Sequence, residues 1–242
     1  MAHGTPDWGV TAGGTTVYQL TDLGELAVRL GSPISHDRRG DVAWWDDFEC
    51  GLAKWVSNPG GTGSDFALST ARARNGKYSA LLTAGSAFGS SKGMVKRVPV
   101  PSLLALGFEH SFSLGSDLEV LSIIYQLYDG TNRVTYEVRW VQDDLELRYG
   151  NSAGGFTAFA SGIDLLQSAD LFHTWKLVGD PLAGEYVRCI LNDVEYPLSG
   201  IAAPVAADAS LPHMLVNVVI EGRLGQNDTV YVDDAIITQN EP

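Results

Sequence analysis

The stretch NRVTYEVRWV, residues 132–141, alternates apolar and polar side chains with a period of two. Successive side chains of a β-strand point to opposite faces, so this period is typical of a strand with one buried face. The buried face would carry four residues: Val134, Tyr136, Val138 and Trp140. The dipeptide Asp129-Gly130 just before it is a strong signal for a tight hairpin turn. The pattern predicts an antiparallel strand reached through a hairpin.

The same period recurs through most of the chain from Ala43 onward. GFEHSFSL places four residues on one face: Phe108, His110, Phe112 and Leu114. HTWKLVGDPLAGEYVRCILNDVEYPL contains two strands joined across GDPLAG, with a further turn at Asn192-Asp193, and HMLVNVVIEG and TVYVDDAIIT follow. About ten to twelve short strands with such turns predict two packed antiparallel sheets. The fold class is therefore all-β, an antiparallel two-sheet jelly-roll β-sandwich over residues 43–242.

Residues 1–42 have a different character. TPDWGVTAGGTT is small, polar and glycine-rich, which predicts an extended arm. The next stretch predicts a short helix, with Asp22 as N-cap, Glu25 three positions later and Gly31 at the C-cap. A lone amphipathic helix cannot bury its apolar face by itself. We therefore expect residues 1–42 to dock on the main body or on another chain, as an assembly element.

Composition excludes some partners. A formal net charge of −13 argues against nucleic acid, because phosphate contacts need clustered Lys and Arg side chains. No segment approaches the roughly 20 apolar residues of a membrane span, and MAHGTPDWGV does not resemble a signal peptide. Cys50 and Cys189 are the two cysteines; both a disulfide and two reduced thiols are compatible with the sequence, and the reduced state is favoured.

Three stretches carry a family resemblance: DDFECGLAKW, ARNGKYSALL and VYVDDAIIT. They resemble landmarks of the jelly-roll carbohydrate-binding modules of polysaccharide hydrolases. FHTWKLVGDPLAGEYVRCILNDVEY is similar to strand pairs of laminin-G and concanavalin-like sandwiches. The leader MAHGTPDWGVTAG also resembles those of uncharacterised phage virion proteins. These resemblances imply architecture more than activity.

The resemblance also implies a calcium-binding set. In those modules the ligands come from the first strand, from main-chain oxygens near a glycine-lysine turn, and from the last strand. Here the corresponding positions are Asp47 or Glu49, the neighbourhood of Gly76-Lys77, and Asp233 or Asp234. Hard oxygen ligands suit Ca2+, and such an ion would tie the two ends of the sandwich together. The alternative is that these carboxylates accept hydrogen bonds or face water.

The tryptophans suggest sugar binding, because pyranose rings stack on exposed aromatic faces. Trp44 and Trp45 are adjacent in a strand and must point to opposite faces, so only one can enter the core. Either of them, together with Trp55 and Trp8, is a candidate ligand-binding residue. The alternative is a purely structural role, in which all these rings are packed in the core or against the helix, and this alternative is favoured.

Catalytic patterns are not found in the sequence. DDLELR supplies Asp144, Glu146 and Arg148, which read as a solvated charge row rather than a glycosidase acid pair. The five histidines show no HExxH spacing, and no GxSxG motif or phosphate loop occurs. The sequence therefore predicts that the protein is not an enzyme.

An arm, a jelly roll and no catalytic set are typical of a structural virion protein. The leading hypothesis is a bacteriophage capsid decoration, minor capsid or tail-associated protein. It would form a homo-oligomer, contact other virion proteins and lie at the virion exterior, where acidic charge is suited. The alternative is a freestanding extracellular carbohydrate-binding protein. Both hypotheses include surface glycans as partners.

Overall fold

The computed structural model describes Asp37, residues 39–100 and residues 104–242, and these residues contain sixteen strands and no helix. The first eight strands are β1 Asp41–Asp46, β2 Val56–Ser57, β3 Asp65–Ser69, β4 Ser79–Thr83, β5 Ser91–Val98, β6 Leu106–Leu114, β7 Val120–Tyr128 and β8 Asn132–Val141. The second eight are β9 Glu146–Gly150, β10 Phe156–Ser161, β11 His173–Asp180, β12 Glu185–Leu191, β13 Val194–Ala202, β14 Val205–Ala207, β15 His213–Glu221 and β16 Thr229–Gln239.

The strands form two antiparallel sheets of eight strands each. The first sheet has the order β13-β12-β11-β6-β16-β4-β3, with β1 paired to β16. The second has the order β10-β9-β8-β7-β15-β5-β2, with β14 paired to β8. The predicted all-β sandwich is confirmed. The strand count exceeds the predicted ten to twelve, because pieces as short as β2 and β14 are too short to show an alternation.

The predicted alternation decides which side chains enter the core. In β8, Tyr136, Val138 and Trp140 are buried in the apolar core, and Val134 packs against it. The four residues predicted to share a face of β6 all lie in the same region, where the rings of Phe108 and Phe112 flank His110. The period-two reading of these strands is confirmed.

The predicted turns are also present. Asp129 donates its backbone N–H to the carbonyl of Asn132 at 3.1 Å, and Gly130 has a φ of 95°, a conformation that glycine adopts readily. Asn192 has a φ of 55° in the turn between β12 and β13, where asparagine is tolerated. These turns set the register of two hairpins in opposite sheets.

A pair of stacked aromatic rings on the second sheet contacts the first sheet. The rings of Tyr125 and Tyr136 lie 4.4 Å apart and nearly parallel. Gly179 of the first sheet faces this pair so closely that a Cβ atom there would lie 2.2 Å from Oη of Tyr125. The two sheets therefore approach each other here at a position that only glycine can occupy.

The beginning and the end of the sandwich are adjacent, as predicted. Strand β1 pairs with β16, with Trp45 opposite Ile236 and Asp46 opposite Ala235. Strand β1 begins at Asp41, two residues before the predicted boundary. The predicted arm and helix, including Trp8, Asp22 and Glu25, lie outside the described residues.

The two cysteines are free. Cys50 is exposed, whereas Cys189 is buried and accepts a hydrogen bond from Nε1 of Trp175 at 3.1 Å. Among the described residues there is no helix long and apolar enough to cross a membrane.

Candidate functional site

A pocket of about 420 Å³ lies on the outer face of the second sheet. Trp140 and Leu147 point into the core, so their neighbours Arg139 and Arg148, paired across β8 and β9, point away from it. The pocket is lined by nine residues: Glu119, Val120, Arg139, Val141, Asp143, Asp144, Arg148, Phe156 and Glu221. Strand ends from β7, β8 and β15 and the first residue of β10 therefore converge on it.

Arg139 is the central side chain of the pocket. Its guanidinium carbon lies 3.6 Å from the centroid of the Phe156 ring. Its Nε donates to Oε1 of Glu137 at 2.8 Å, and its Nη1 lies 3.9 Å from Oε1 of Glu221. The guanidinium is thus held by a ring on one side and by two carboxylates at its edge, which fixes its orientation.

The half-buried carboxylate of Glu221 is only partly compensated. Burial raises its pKa, the charge of Arg139 opposes this, and the nearby carboxylates of Glu119 and Glu137 raise it further. A separation of 3.9 Å from Arg139 is longer than a hydrogen bond. Glu221 therefore has acceptor capacity available for a ligand in the pocket.

Two members of the predicted charge row of DDLELR, Asp144 and Arg148, contribute to one wall of the pocket. Nε of Arg148 donates to Glu146 at 2.8 Å, and its Nη2 donates to Asp144. All three side chains are at least partly exposed, so the interpretation of a solvated row is confirmed. The wall offers a ligand both donors and acceptors, and the Phe156 ring beside it offers an apolar surface. Such a mixture suits a polyhydroxylated molecule.

Of the candidate tryptophans that the structure describes, Trp44 and Trp45 lie in β1 and Trp55 directly precedes β2. None of these three lines the pocket. Trp45 is 41% exposed and Trp44 is partly buried, so the pair points to opposite faces as predicted. Trp44 packs edge-on to Trp55 at 5.5 Å, with Nζ of Lys96 5.3 Å from its ring.

Trp55, a candidate ligand-binding residue, is buried, as the favoured alternative of packed rings predicts. It is only 6% exposed, its ring stacks on Phe48, and its Nε1 donates to Oδ2 of Asp46 at 2.8 Å. Asp46 is fully buried and also accepts from Nζ of Lys54 at 2.6 Å. Trp55 therefore satisfies a buried carboxylate, and no face of its ring is available to a sugar.

The four candidate calcium ligands lie where the chain after β1 and the middle of β16 meet the turn at Gly76-Lys77, and they are engaged differently. Oε1 of Glu49 accepts from the backbone N–H groups of Lys77 and Tyr78 at 2.6 and 2.7 Å, which holds the predicted glycine-lysine turn. Oδ1 of Asp47 accepts from the backbone of Glu49 at 3.2 Å. Within the described residues, no three His, Cys, Asp or Glu side chains form a metal-binding group.

Asp233 and Asp234 are buried side by side. Burial and the neighbouring charge raise the pKa of Asp233 to about 7, against three backbone N–H groups that lower it. Burial raises the pKa of Asp234 to about 6, while Arg74 and Asn75 oppose the shift. Oδ1 of Asp234 is buried and has no hydrogen-bond partner within the described chain. An orphaned buried carboxylate oxygen of this kind fits a cation.

Sequence reasoning did not find the pocket residues Glu119, Arg139, Phe156 and Glu221. Glu119 directly precedes β7, and the others come from β8, β10 and β15. They meet only because the strand order places β8, β7 and β15 side by side. An alternation within one strand identifies an outward face but not its neighbours. The sequence nevertheless contained one signal. The alternation of NRVTYEVRWV places Arg139 on the face of β8 that points away from the core, and the pocket lies on this face.

No protein-family model and no curated protein matches this sequence. Solved structures match across most of the chain. "Cellulose induced protein, Cip1" has a TM-score of 0.54 and 18% identity, covering 81% of this chain and 96% of that one. A carbohydrate esterase from the Shiga toxin-encoding bacteriophage phi24B has a TM-score of 0.57 and 13% identity, covering 84% and 100%.

A third similar structure is the carbohydrate recognition domain of Emp46p in a potassium-bound form. Its TM-score is 0.50 at 10% identity, and the match covers 80% of this chain and 92% of that domain. These structural matches show a shared β-sandwich fold. At identities this low they do not show the activity of this chain, which has to be argued from its own residues.

Proposed function

We propose that the protein is a non-enzymatic carbohydrate-binding β-sandwich whose glycan binds in the pocket around Arg139. The observation that carries this proposal is the placement of the Arg139 guanidinium 3.6 Å from the Phe156 ring centroid, beside Glu221. A pyranose ring offers hydroxyl groups at its edge and C–H groups on its face. Carboxylates and guanidiniums bind hydroxyl groups, and an aromatic ring packs against the face.

The chemistry around the pocket supports binding rather than catalysis. Glu137 is engaged by Arg139 at 2.8 Å, and the exposed Asp144 is engaged by Arg148. Glycoside hydrolysis requires two carboxyl groups that flank the scissile bond, one as acid and one as base or nucleophile. Glu137 and Asp144, which are paired with arginine, serve as fixed charges, and Glu221, which keeps acceptor capacity, would accept a hydrogen bond from a ligand hydroxyl group. In this proposal the ligand is bound and released unchanged.

The test is affinity electrophoresis of the full-length protein in gels containing soluble glucans, xylans or galactans. We expect retardation by at least one of them, and loss of the retardation in Phe156→Ala. Phe88→Ala is the matched control, because Phe88 is 80% exposed and does not line the pocket. Equal retardation of both variants would place binding elsewhere, and no retardation of the wild type by any glycan would refute the function.

A second candidate is a structural protein of a phage particle. It is supported by the fold shared with a phage-encoded carbohydrate esterase and by the acidic charge of −13. In this role the protein would lie at the virion exterior, with residues 1–42 joining copies of itself or other virion proteins. Light scattering on the purified protein tests it, since a monomer at all concentrations would argue against self-assembly. Glycan binding in the pocket is compatible with either location.

We also propose a structural calcium ion beside Asp234. Oδ1 of Asp234 would be its buried ligand, Asp47 and Asp233 are adjacent acidic residues, and main-chain oxygens near Gly76-Lys77 would complete the shell. The ion would compensate carboxylates whose pKa values are raised by burial. It would also fix the junction between β1 and β16.

A further inference from the structure

The outer face of the first sheet, on the opposite side of the sandwich from the pocket, contains one continuous row of side chains. Strand pairing aligns Trp45 with Ile236, Ile236 with Glu109, Glu109 with Lys176, and Lys176 with Ile190. The alternate residues of these strands, such as Phe108 and Trp175, lie in the core. The row therefore points away from the core. We call Glu109, Lys176, Val178, Ile190 and Ile236 the first-sheet outer face.

The apolar members of the first-sheet outer face are shielded. Val178 is 0%, Ile236 is 2% and Ile190 is 7% exposed, yet none of them belongs to either apolar cluster of the sandwich. An outward-facing side chain in a two-layer sandwich normally contacts water. This face consequently behaves as the inner side of a third layer.

Charged side chains on the same face are buried as well. Lys176 is 2% and Arg188 is 4% exposed. Nζ of Lys176 lies 2.6 Å from Glu241, and Nη1 of Arg188 donates to the backbone oxygen of Pro242 at 2.6 Å. Buried charges are costly unless they are paired. The first-sheet outer face is therefore organised to be covered.

The chain reaches this face from its N-terminal side. Oδ2 of Asp37 lies 3.1 Å from Nζ of Lys176 and 3.7 Å from Nη2 of Arg188. Two residues later, Nη2 of Arg39 donates to Glu195 at 2.5 Å. Asp37, the first described residue, thus lies over the middle of this face, and 36 residues precede it in the sequence. At about 3.3 Å per extended residue they are long enough to cross it several times.

The preceding sequence supplies the side chains that such a face requires. LGELAVRL, residues 23–30, contains Leu23, Leu26, Val28 and Leu30. These residues need an apolar surface to pack against, and the shielded residues Val178, Ile190 and Ile236 provide one.

We infer that residues 1–36 dock on the first-sheet outer face of their own chain, with the apolar side of residues 23–30 against Val178, Ile190 and Ile236. Asp37 holds the end of this segment through Lys176 and Arg188. This assigns the segment a role within one chain, in place of the role between copies considered for the virion candidate. It does not depend on whether the pocket binds a glycan.

The test uses the full-length protein with Leu26→Asp and Leu30→Asp combined. We expect a melting temperature lower by about 5 °C, a severalfold increase in fluorescence of a dye that binds exposed apolar surface, and an unchanged monomeric mass in light scattering. The matched control is Thr15→Asp with Thr16→Asp, which adds the same charge in the polar part of the segment and should behave as wild type. Unchanged melting and dye binding in the leucine variant would overturn the inference.

A wild-type oligomer that dissociates when the leucines are replaced would also overturn it, because the segment would then act between chains. Hydrogen exchange of the unmodified protein gives an answer that does not depend on a variant folding. We expect the amides of residues 23–30 to exchange at least tenfold more slowly than in a synthetic peptide of the same sequence. Equal exchange rates would show that the segment is not docked.

Discussion

Arg139 and Phe156 lie on strands separated by β9, yet the guanidinium carbon of one is 3.6 Å from the ring centroid of the other. The contact spans β9, because Arg139 pairs with Arg148 and Arg148 pairs with Ala158, two residues beyond Phe156. It joins the edge strand β10 to the interior of the second sheet. One pair of residues thus both closes a wall of the pocket and orients its main donor.

Replacing Arg139 with lysine should show whether glycan binding depends on the positive charge of Arg139 or on the planar shape of its guanidinium group. Lysine keeps the positive charge but lacks the planar fork that contacts Glu137 while covering Phe156. We expect glycan affinity to fall by about tenfold, equivalent to about 1.4 kcal/mol, measured by calorimetric titration with the glycan that retards the wild type. Arg97→Lys is the control, since Arg97 is exposed and lies outside the pocket lining. Equal affinities for the two variants would mean that Arg139 acts only as a charge.

The same substitution should affect stability much more at Trp55 than at Trp45. Trp55→Phe removes the Nε1 donor to the fully buried Asp46, leaving an unsatisfied carboxylate oxygen. We expect a loss of about 1–3 kcal/mol in the free energy of unfolding, measured by denaturant titration. Trp45→Phe, at a site that is 41% exposed, should change it by less than about 0.5 kcal/mol. Comparable losses in both variants would contradict the assignment of Trp55 as a structural residue.

Local pattern predicted the fold well because it reports on single strands. The alternation of residues 132–141 and the turn at Asp129-Gly130 both describe neighbours in sequence, and both are confirmed. For Trp55 the sequence left both burial and exposure open, because it precedes β2, which begins at Val56, and no period applies outside a strand. In the structure, Nε1 of the buried Trp55 donates to the buried carboxylate of Asp46. The sequence pattern provided no indication of this contact.

The pocket could not be predicted for a different reason. Glu221 ends β15, and Arg139 is in β8; their proximity depends on β7 lying between these two strands. A sheet order of this kind is fixed by long-range pairing, for which one sequence without relatives contains no local signal. The carboxylates Asp233 and Asp234 were singled out as calcium ligands only through a family resemblance, and that role stays a prediction.

Calcium should stabilise the protein through Asp234. After treatment with a chelator, added Ca2+ should raise the melting temperature, and saturation at one hundred times the dissociation constant would add about 2.7 kcal/mol. Asp234→Asn should abolish this response, and asparagine tolerates the φ of 48° at this position. Asp41→Asn, on the exposed start of β1, should keep the response. Identical melting temperatures of the wild type in chelator and in calcium would show that no stabilising calcium ion binds.

His110 should make the fold sensitive to acid. Burial among Phe108, Phe112 and Trp175 lowers its pKa to about 3, and neither ring nitrogen has a hydrogen-bond partner within the described chain. The unfolded chain binds a proton near pH 6.5 but the folded chain does not, so stability falls as the pH drops from about 6.5 towards 3.

His110→Leu should remove this dependence. At pH 5 the unfolded wild type is stabilised by protonation of His110, which lowers the free energy of unfolding by about 2 kcal/mol. The variant has no such group and does not lose this stability. The free energies of unfolding of the two proteins should therefore diverge by that amount between pH 7 and pH 5, as measured by urea titration. Phe108→Leu is the control, because it enlarges a cavity in the same core without a titrating group and should cost the same at both pH values. Parallel curves for wild type and His110→Leu below pH 6.5 would show that His110 is protonated in the folded protein.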